Sequence, residues 1–301
     1  FQGQPKVKES LSIALRAARE REEAVDHILL YGPPGLGKTT LSHLIAREMQ
    51  SNLVISSGTA LAKSSDLASV LTNLQPADIF FIDEIHRLPK PVEEMLYTAM
   101  EDYALDIVIG KGPSARTVRL DMPHFTLVGA TTRFGALSAP FRDRFGVIHR
   151  MQYYQPTELS QIIAQAANKL GVGIDDESNV AIAKRSRGTP RIALKLLKRI
   201  RDYAQVKHDG TISLQTVNDS LDLLAVDTCG LTHGDRVYLE TIIKKHDGGP
   251  VGLTTLAAAL SEDAITIEEV IEPFLLQLGF IKKTPQGRVV SEGGYRHLKK
   301  C

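Results

Sequence analysis

Gly32-Pro33-Pro34-Gly35-Leu36-Gly37-Lys38-Thr39 decides the fold of this 301-residue chain. Gly32, Gly37, Lys38 and Thr39 stand at the spacing of a phosphate-binding loop. The flanks agree with that reading. His27-Ile28-Leu29-Leu30-Tyr31 reads as a strand running into the loop, and residues 40–49 repeat apolar side chains at helical spacing behind it. Glycines let the backbone turn successive N–H groups inward around a polyphosphate, and the helix start adds its positive dipole end. In such a loop Lys38 bridges the outer phosphates and the Thr39 hydroxyl binds Mg²⁺. A nucleoside triphosphate is therefore the first ligand implied, because a chance match seldom falls between a strand and a helix.

Outward from the loop, strand-like runs at 28–31, 53–56, 79–82 and 126–131 alternate with helical stretches. The alternation predicts an α/β fold, a parallel sheet with helices on both faces. One insert interrupts it. Residues 105–109 and 117–120, around a turn region at 110–114, read as a β-hairpin. From 155 to 227 the pattern is helical. One helix starts at Pro156-Thr157 and stops at Gly171, a second covers 180–186, a third follows Thr189-Pro190, and a fourth covers 214–224. Ile192, Leu194, Leu196, Leu197, Ile200 and Tyr203 are the buried candidates of the third. Helices at 235–245, 253–260 and 267–278 then precede two strands around Pro285-Gln286-Gly287, the plan of a winged helix. The expected division is an ATPase domain at 1–152, a small helical lid at 153–227 and a winged helix at 228–301.

Composition narrows the class. With 43% hydrophobic and 24% charged residues the chain is an ordinary globular protein. No apolar run approaches the ~20 residues of a membrane span, so no membrane partner is expected. The chain opens on Phe1, and a preceding segment is expected. Cys229 and Cys301 form no framework, which fits a cytoplasmic protein. The net charge of +1 rules out a polycation, so any nucleic-acid contact must be local. Two stretches supply it. Residues 184–201 hold Lys184, Arg185, Arg187, Arg191, Lys195, Lys198, Arg199 and Arg201 without an acid; residues 280–301 hold Lys282, Lys283, Arg288, Arg296, Lys299 and Lys300 against Glu292. Between them, Glu262, Asp263, Glu268, Glu269 and Glu272 make an acidic segment. A helix this acidic would be repelled by phosphates, so the wing has the better claim to DNA.

The chemistry-bearing residues close the strands. Ile79-Phe80-Phe81-Ile82 ends in Asp83-Glu84-Ile85-His86. Ligands of open α/β sheets bind at the carboxyl ends of strands, so Asp83 is expected to hold Mg²⁺ and Glu84 to orient and deprotonate the attacking water. His86 has three readings, a DNA contact, a relay of nucleotide state and a satisfied structural histidine. Thr132 closes the strand at 126–131 and is a candidate sensor of the terminal phosphate. Arg144 would otherwise be a surface arginine, but in a ring of subunits it would reach a neighbour's γ-phosphate. Arg191, in Gly188-Thr189-Pro190-Arg191, is placed to touch phosphates from the lid.

Phosphate loop, Asp-Glu-Ile-His, Ala-Thr-Thr-Arg, Arg-Asp-Arg-Phe and Gly-Thr-Pro-Arg, in this order, resemble the AAA+ ATPases. The strings at 32–40, 81–88, 99–106, 125–133, 142–146, 187–193, 206–213, 248–253 and 284–288 are similar to those of the RuvB family, bacterial motors for Holliday-junction branch migration. The resemblance spans essentially the whole chain. It implies that Gly35, Gly37, Lys38, Thr39 and Thr40 bind ATP, with Thr39 and Asp83 on Mg²⁺ and Glu84 serving hydrolysis. It implies that Glu101, Asp102 and Tyr103 line the nucleotide site and that Tyr154 lies near the base. Thr132 corresponds to the first sensor, Arg191 to the second, and Arg144 to a finger acting in trans. Lys283 and Arg288 fall where the wing contacts DNA, with Lys283 standing where arginine is usual. The hairpin of residues 105–120 would dock the junction-binding partner RuvA. A homo-hexamer and a resolution complex with RuvC are further expectations. The adenine-holding segment would precede Phe1, leaving the base pocket incomplete in this sequence. A clamp-loader-like switch is the alternative within the superfamily, and an ATP-assembled regulatory DNA-binding module is the alternative outside it.

Overall fold

The computed structural model describes residues 2–109 and 116–299, so the turn region read at 110–114 lies outside the described residues. The chain divides into two compact units, Phe1–Tyr154 and Gln155–Cys301.

In the first unit α1 (Pro5–Glu20) precedes β1 (Ile28–Tyr31), α2 (Lys38–Met49), β2 (Leu53–Ser57), α3 (Ser64–Leu71), β3 (Ile79–Asp83) and α4 (Lys90–Asp102). The hairpin β4 (Ala104–Ile109) and β5 (Arg116–Asp121) follows, then β6 (Thr126–Thr131), α5 (Ala139–Arg142) and β7 (Val147–Arg150). Among the described residues the sheet has the order β2-β3-β6-β1-β7 and its pairings are parallel. The β6 strand is buried throughout, as are all but the last residues of β1 and β3, because helices cover both faces of a parallel sheet. Phe80, Ile82 and Leu127 pack with Leu67 and Leu71 of α3 and Leu96 of α4, and each such side chain contributes about 1.5–3 kcal/mol by burial. The β7 strand has no apolar run to announce it in the sequence. Its alternation of half-buried and exposed residues includes His149 and Arg150, a pattern tolerated at a sheet edge and easily lost among loops.

His27 is a polar residue inside this core, 7% exposed. Its Nδ1 accepts the Leu127 N–H at 2.9 Å, and its Nε2 lies 3.2 Å from the Met100 carbonyl. The ring is therefore neutral with its proton on Nε2. Burial pushes its pKa below the usual value. The unfolded chain binds the proton more readily, so this stabilisation is present above about pH 6.5 and is lost as the pH falls below it. Thermal melting between pH 7.5 and 5 tests this. His27→Gln should lower Tm at pH 7.5 and show a shallower fall on acidification than the parent. An unchanged slope would remove His27 from the account; His149, lowered by burial in the same direction, is present in both proteins.

The second unit begins with α6 (Pro156–Leu170), α7 (Asp176–Lys184), α8 (Pro190–Lys207) and α9 (Leu214–Leu223). It continues with α10 (His233–His246), α11 (Leu253–Leu260) and α12 (Ala264–Thr266), which runs through a π-helical turn at Ile267–Ile271 into α13 (Glu272–Gln277). The hairpin β8 (Ile281–Thr284) and β9 (Gly287–Val290) and then α14 (Glu292–Leu298) complete it. The order helix, helix, helix, hairpin is the winged-helix plan. Several boundaries move. The second lid helix starts before residue 180, because Asp175 accepts the Ser178 N–H and caps a polar first turn. The α14 helix went unread because it opens on Glu292-Gly293-Gly294. In α8, Leu196, Leu197 and Ile200 are buried with Ala193 and Ala204, whereas Ile192, Leu194 and Tyr203 are only half-buried.

The acidic helix also differs from its expectation. Glu272 is fully buried and accepts from Tyr238 Oη at 2.9 Å and Arg288 Nε at 2.8 Å, with Lys283 Nζ at 2.7 Å. Burial alone would raise its pKa, but the bonds from Arg288, Lys283 and Tyr238 outweigh that and hold the carboxyl below its usual range. This carboxylate therefore ties the wing to α13 and does not add to a solvent-facing acidic field. Removing one partner of such a buried pair costs about 3–5 kcal/mol.

Candidate functional site

Parallel pairing brings the carboxyl ends of β1, β3 and β6 to one edge of the sheet. The loop from β1 to α2 starts there, and Gly32 N donates to Thr131 O at 3.1 Å. Gly32 has φ +140°, and a Cβ on it would lie 2.6 Å from the Met151 carbonyl oxygen, so no side chain fits. Lys38 is 7% exposed and folds back over the loop, its Nζ donating to Gly32 O at 2.8 Å and Pro33 O at 2.9 Å. Thr39 and Thr40 are exposed in the first turn of α2, which carries no acidic residue, so the positive helix end is not offset locally. Gly35 and Gly37 share the left-handed backbone of the loop. Tyr154 is buried, and its hydroxyl donates to Leu36 O at 3.1 Å. Gln4 exchanges hydrogen bonds at 2.5 and 3.2 Å with the backbone of Gln152, two residues before Tyr154.

Asp83 and Glu84 are half-buried where β3 ends. Glu84 adopts φ 47°, a left-handed conformation uncommon outside glycine. Its Oε2 accepts from Thr132 Oγ1 at 3.0 Å and from the Thr132 backbone N–H at 3.3 Å. His86 Nδ1 stands 3.2 Å from the same Glu84 oxygen and 2.9 Å from Thr131 Oγ1. His86 thus belongs to the carboxylate's immediate surroundings. Thr131, fully buried, was missed in the sequence; the signal was the Thr-Thr pair, of which only the second was singled out.

A second group gathers at the opposite, amino edge of the same sheet. Arg144, just ahead of β7, pairs with Glu101 at 2.8 Å, hydrogen-bonds the Tyr97 hydroxyl and lies 4.6 Å over the Tyr97 ring. Asp102 pairs with Arg119 of the hairpin at 3.0 Å. Tyr103 packs edge-on against Phe125, which precedes β6, and beside His27, which precedes β1. The sheet therefore separates Glu101, Asp102, Tyr103 and Arg144 from the loop of their own chain. The Tyr97 contact carried no sequence signal of its own.

In the second unit Arg191 is exposed in the first turn of α8, behind Thr189 and Pro190. Lys283 and Arg288 face each other across the wing. Both reach Glu268 and Glu272, and their side chains are 39% and 14% exposed respectively. Lys283 stays open to solvent; Arg288 is largely turned into the domain.

The donor chemistry fits Mg²⁺ held jointly with a triphosphate. Thr39 offers a hydroxyl and Asp83 one carboxylate, and among the described residues no group of three or more His, Cys, Asp or Glu side chains stands ready to cage a metal. Mg²⁺ is commonly bound by one or two carboxylates plus substrate phosphates.

A phosphate loop before α2, an acidic pair closing β3, a four-helix lid and a winged helix define an AAA+ ATPase with a C-terminal DNA-binding type of domain. Family models agree along the chain: the Holliday junction DNA helicase RuvB P-loop domain at residues 1–151, the RuvB AAA lid domain at 154–227 and the RuvB C-terminal winged helix domain at 228–299. The chain belongs to the RuvB family. It is 56% identical over 298 residues, 99% of its length and 90% of the other's, to the Holliday junction branch migration complex subunit RuvB of Fusobacterium nucleatum. The Thermotoga maritima RuvB Holliday junction branch migration motor is similar in structure, with TM-score 0.88 and 51% identity, covering 99% of this chain and 95% of that one. A mutant of the same Thermotoga protein gives TM-score 0.89 at 50% identity over 99% and 95% of the two chains.

Proposed function

We propose that this chain works as one subunit of a hexameric ring that hydrolyses ATP to drive branch migration of Holliday junctions, moving duplex DNA with the help of a RuvA partner. The observation that carries the ring is the split across the sheet. The loop, Glu84 and Thr132 lie at one edge, while Arg144, Glu101, Asp102 and Tyr103 lie at the other. One chain cannot bring them to one phosphate; neighbouring subunits packed edge to edge can.

Gly35, Gly37, Lys38, Thr39 and Thr40 hold the phosphates, and Tyr154 braces the loop beside the base. Lys38 exchanges the Gly32 and Pro33 carbonyls for phosphate oxygens. Thr39 and Asp83 would hold Mg²⁺, which would supply charge neutralisation to the triphosphate. Glu84 orients and deprotonates the attacking water, while Thr132, on the same Glu84 oxygen, senses the terminal phosphate. Arg144 enters from the neighbour, and Arg191 links phosphate state to the lid. Lys283 contacts the DNA backbone from the wing. Arg288 supports the wing through Glu272 and adds its charge to that surface. Backbone contacts are indifferent to base sequence, which suits a motor that passes any sequence.

The hairpin of residues 105–120 docks RuvA, and the assembly hands its junction to RuvC. Work is divided among residues 1–152, 153–227 and 228–301 as hydrolysis, lid and DNA grip. Among the described residues no helix is long and apolar enough to cross a membrane; a bacterial DNA motor of this kind acts in the cytoplasm. The winged helix matched at 228–299 favours the motor over a clamp-loader-like switch. Migration of a synthetic four-way junction tests the reading. ATP with the RuvA partner should give strand-exchanged products, and Lys38→Ala should give none. Migration by Lys38→Ala at the parent rate would sink it.

A further inference from the structure

The lid and the winged helix meet inside the second unit at one arginine. Arg187 Nε donates to the Gly230 carbonyl at 2.9 Å, and its Nη2 pairs with Asp235, which is 2% exposed. The guanidinium also lies 4.5 Å over the Phe274 ring. It thus touches the connecting segment, α10 and α13 at once. Asp235 is itself fixed, accepting from Thr232 N and Oγ1 at 2.7 Å each.

The connection itself is also tied. Asp227 Oδ1 accepts the Cys229 and Leu231 N–H groups at 2.9 and 2.8 Å, and its Oδ2 meets His297 Nε2 of α14 at 2.7 Å. Gly230 has φ +88°, and a Cβ there would lie 2.6 Å from the Arg185 carbonyl, so the lid backbone presses directly on the segment. A free linker has none of these features.

Arg187 stands four residues before Arg191, on a stiff corner. Arg187 and Gly188 are both left-handed, at φ 53° and 66°; Ser186 and Thr189 are buried; Pro190 fixes the helix start. Beyond Arg187 the contacts continue. Phe274 lies two residues from Glu272, and Glu272 holds Arg288 and Lys283 of the wing. Side-chain contacts joined by two short backbone segments, 187–191 and 272–274, therefore lead from Arg191 to the wing.

We infer that Arg187 is the positioning residue that makes lid and winged helix one rigid lever, so that a change sensed at Arg191 reaches the wing as a rotation and is not absorbed at residues 227–232. This rests on the motor reading above. These contacts make the path; a common two-state movement of lid and wing would make it a coupling.

The test uses full-length Arg187→Ala and Arg187→Lys, assayed with junction DNA and the RuvA partner. Lysine keeps a charge opposite Asp235 but loses the planar fork that also reaches Gly230 and lies over Phe274. Base pairs migrated per ATP hydrolysed should fall about fivefold or more in the alanine variant, with an intermediate value for lysine, while DNA-free ATP turnover is retained. Hydrogen exchange at the amides of residues 229–232 should quicken in the same order. An unchanged ratio of migration to hydrolysis in both variants would overturn the inference. So would a proportional loss of DNA-free turnover and migration that tracks lowered melting, because that is the signature of a merely structural residue. If the alanine variant does not fold, the lysine ratio and its exchange rates decide alone. Failure of the unsubstituted protein to migrate junctions would instead overturn the motor reading, so the two failures are distinguishable.

Discussion

Arg144→Ala should lower ATP turnover of the assembled ring by about 10³–10⁵-fold, the range removed with an arginine finger. The expectation follows from position. Arg144 is held at the amino edge of the sheet by Glu101 and Tyr97, while its chain's own phosphate loop opens at the carboxyl edge. Its pair with Glu101 is half-exposed and screened by solvent, so the subunit should still fold and still bind nucleotide. Loss of turnover with retained binding separates a transition-state role from a structural one. A mixing experiment identifies the chain on which the arginine acts. Protomers carrying Arg144→Ala, combined with protomers carrying Lys38→Ala, should recover part of the activity, because some interfaces join an intact loop to an intact arginine. Parent-level turnover by Arg144→Ala alone would exclude the finger.

Glu84→Gln should reduce hydrolysis by about 10²–10⁴-fold, the usual contribution of a positioned general base. Glutamine keeps an oxygen for the two Thr132 contacts at 3.0 and 3.3 Å, so the local geometry is preserved while the proton acceptor is lost. Binding of a fluorescent ATP analogue should remain near the parent value, and single-turnover hydrolysis should show the loss. A variant that hydrolyses normally would require another group to accept the proton. His86, 3.2 Å from Glu84 Oε2, would then be the first to examine.

Much of the site was legible because each element was local. The phosphate loop needs glycines at fixed spacing beside a strand and a helix, and the chain carries them at Gly32, Gly35 and Gly37. Apolar runs such as Ile79–Asp83 announce central strands, since helices cover both faces. The edge strand Val147–Arg150 has one such face fewer and left no apolar run. Glu272 looks like free charge in the sequence because a sequence does not show which carboxylate is buried. The fold places Glu272 under Arg288, Lys283 and Tyr238 and turns an apparent repulsion into a fastening.

The sequence by itself therefore determined the nucleotide chemistry, the acidic pair Asp83 and Glu84, and the succession of ATPase domain, lid and winged helix, all of which depend on residue types at short spacing. Only the tertiary structure decided which residues share a face. It set Glu84 against Thr132 and His86, moved Arg144 and Glu101 to the far edge of the sheet, and joined Arg187 to Gly230, Asp235 and Phe274. The reason is physical: these contacts link residues up to 87 positions apart through packing of whole elements, and no local periodicity encodes such a meeting.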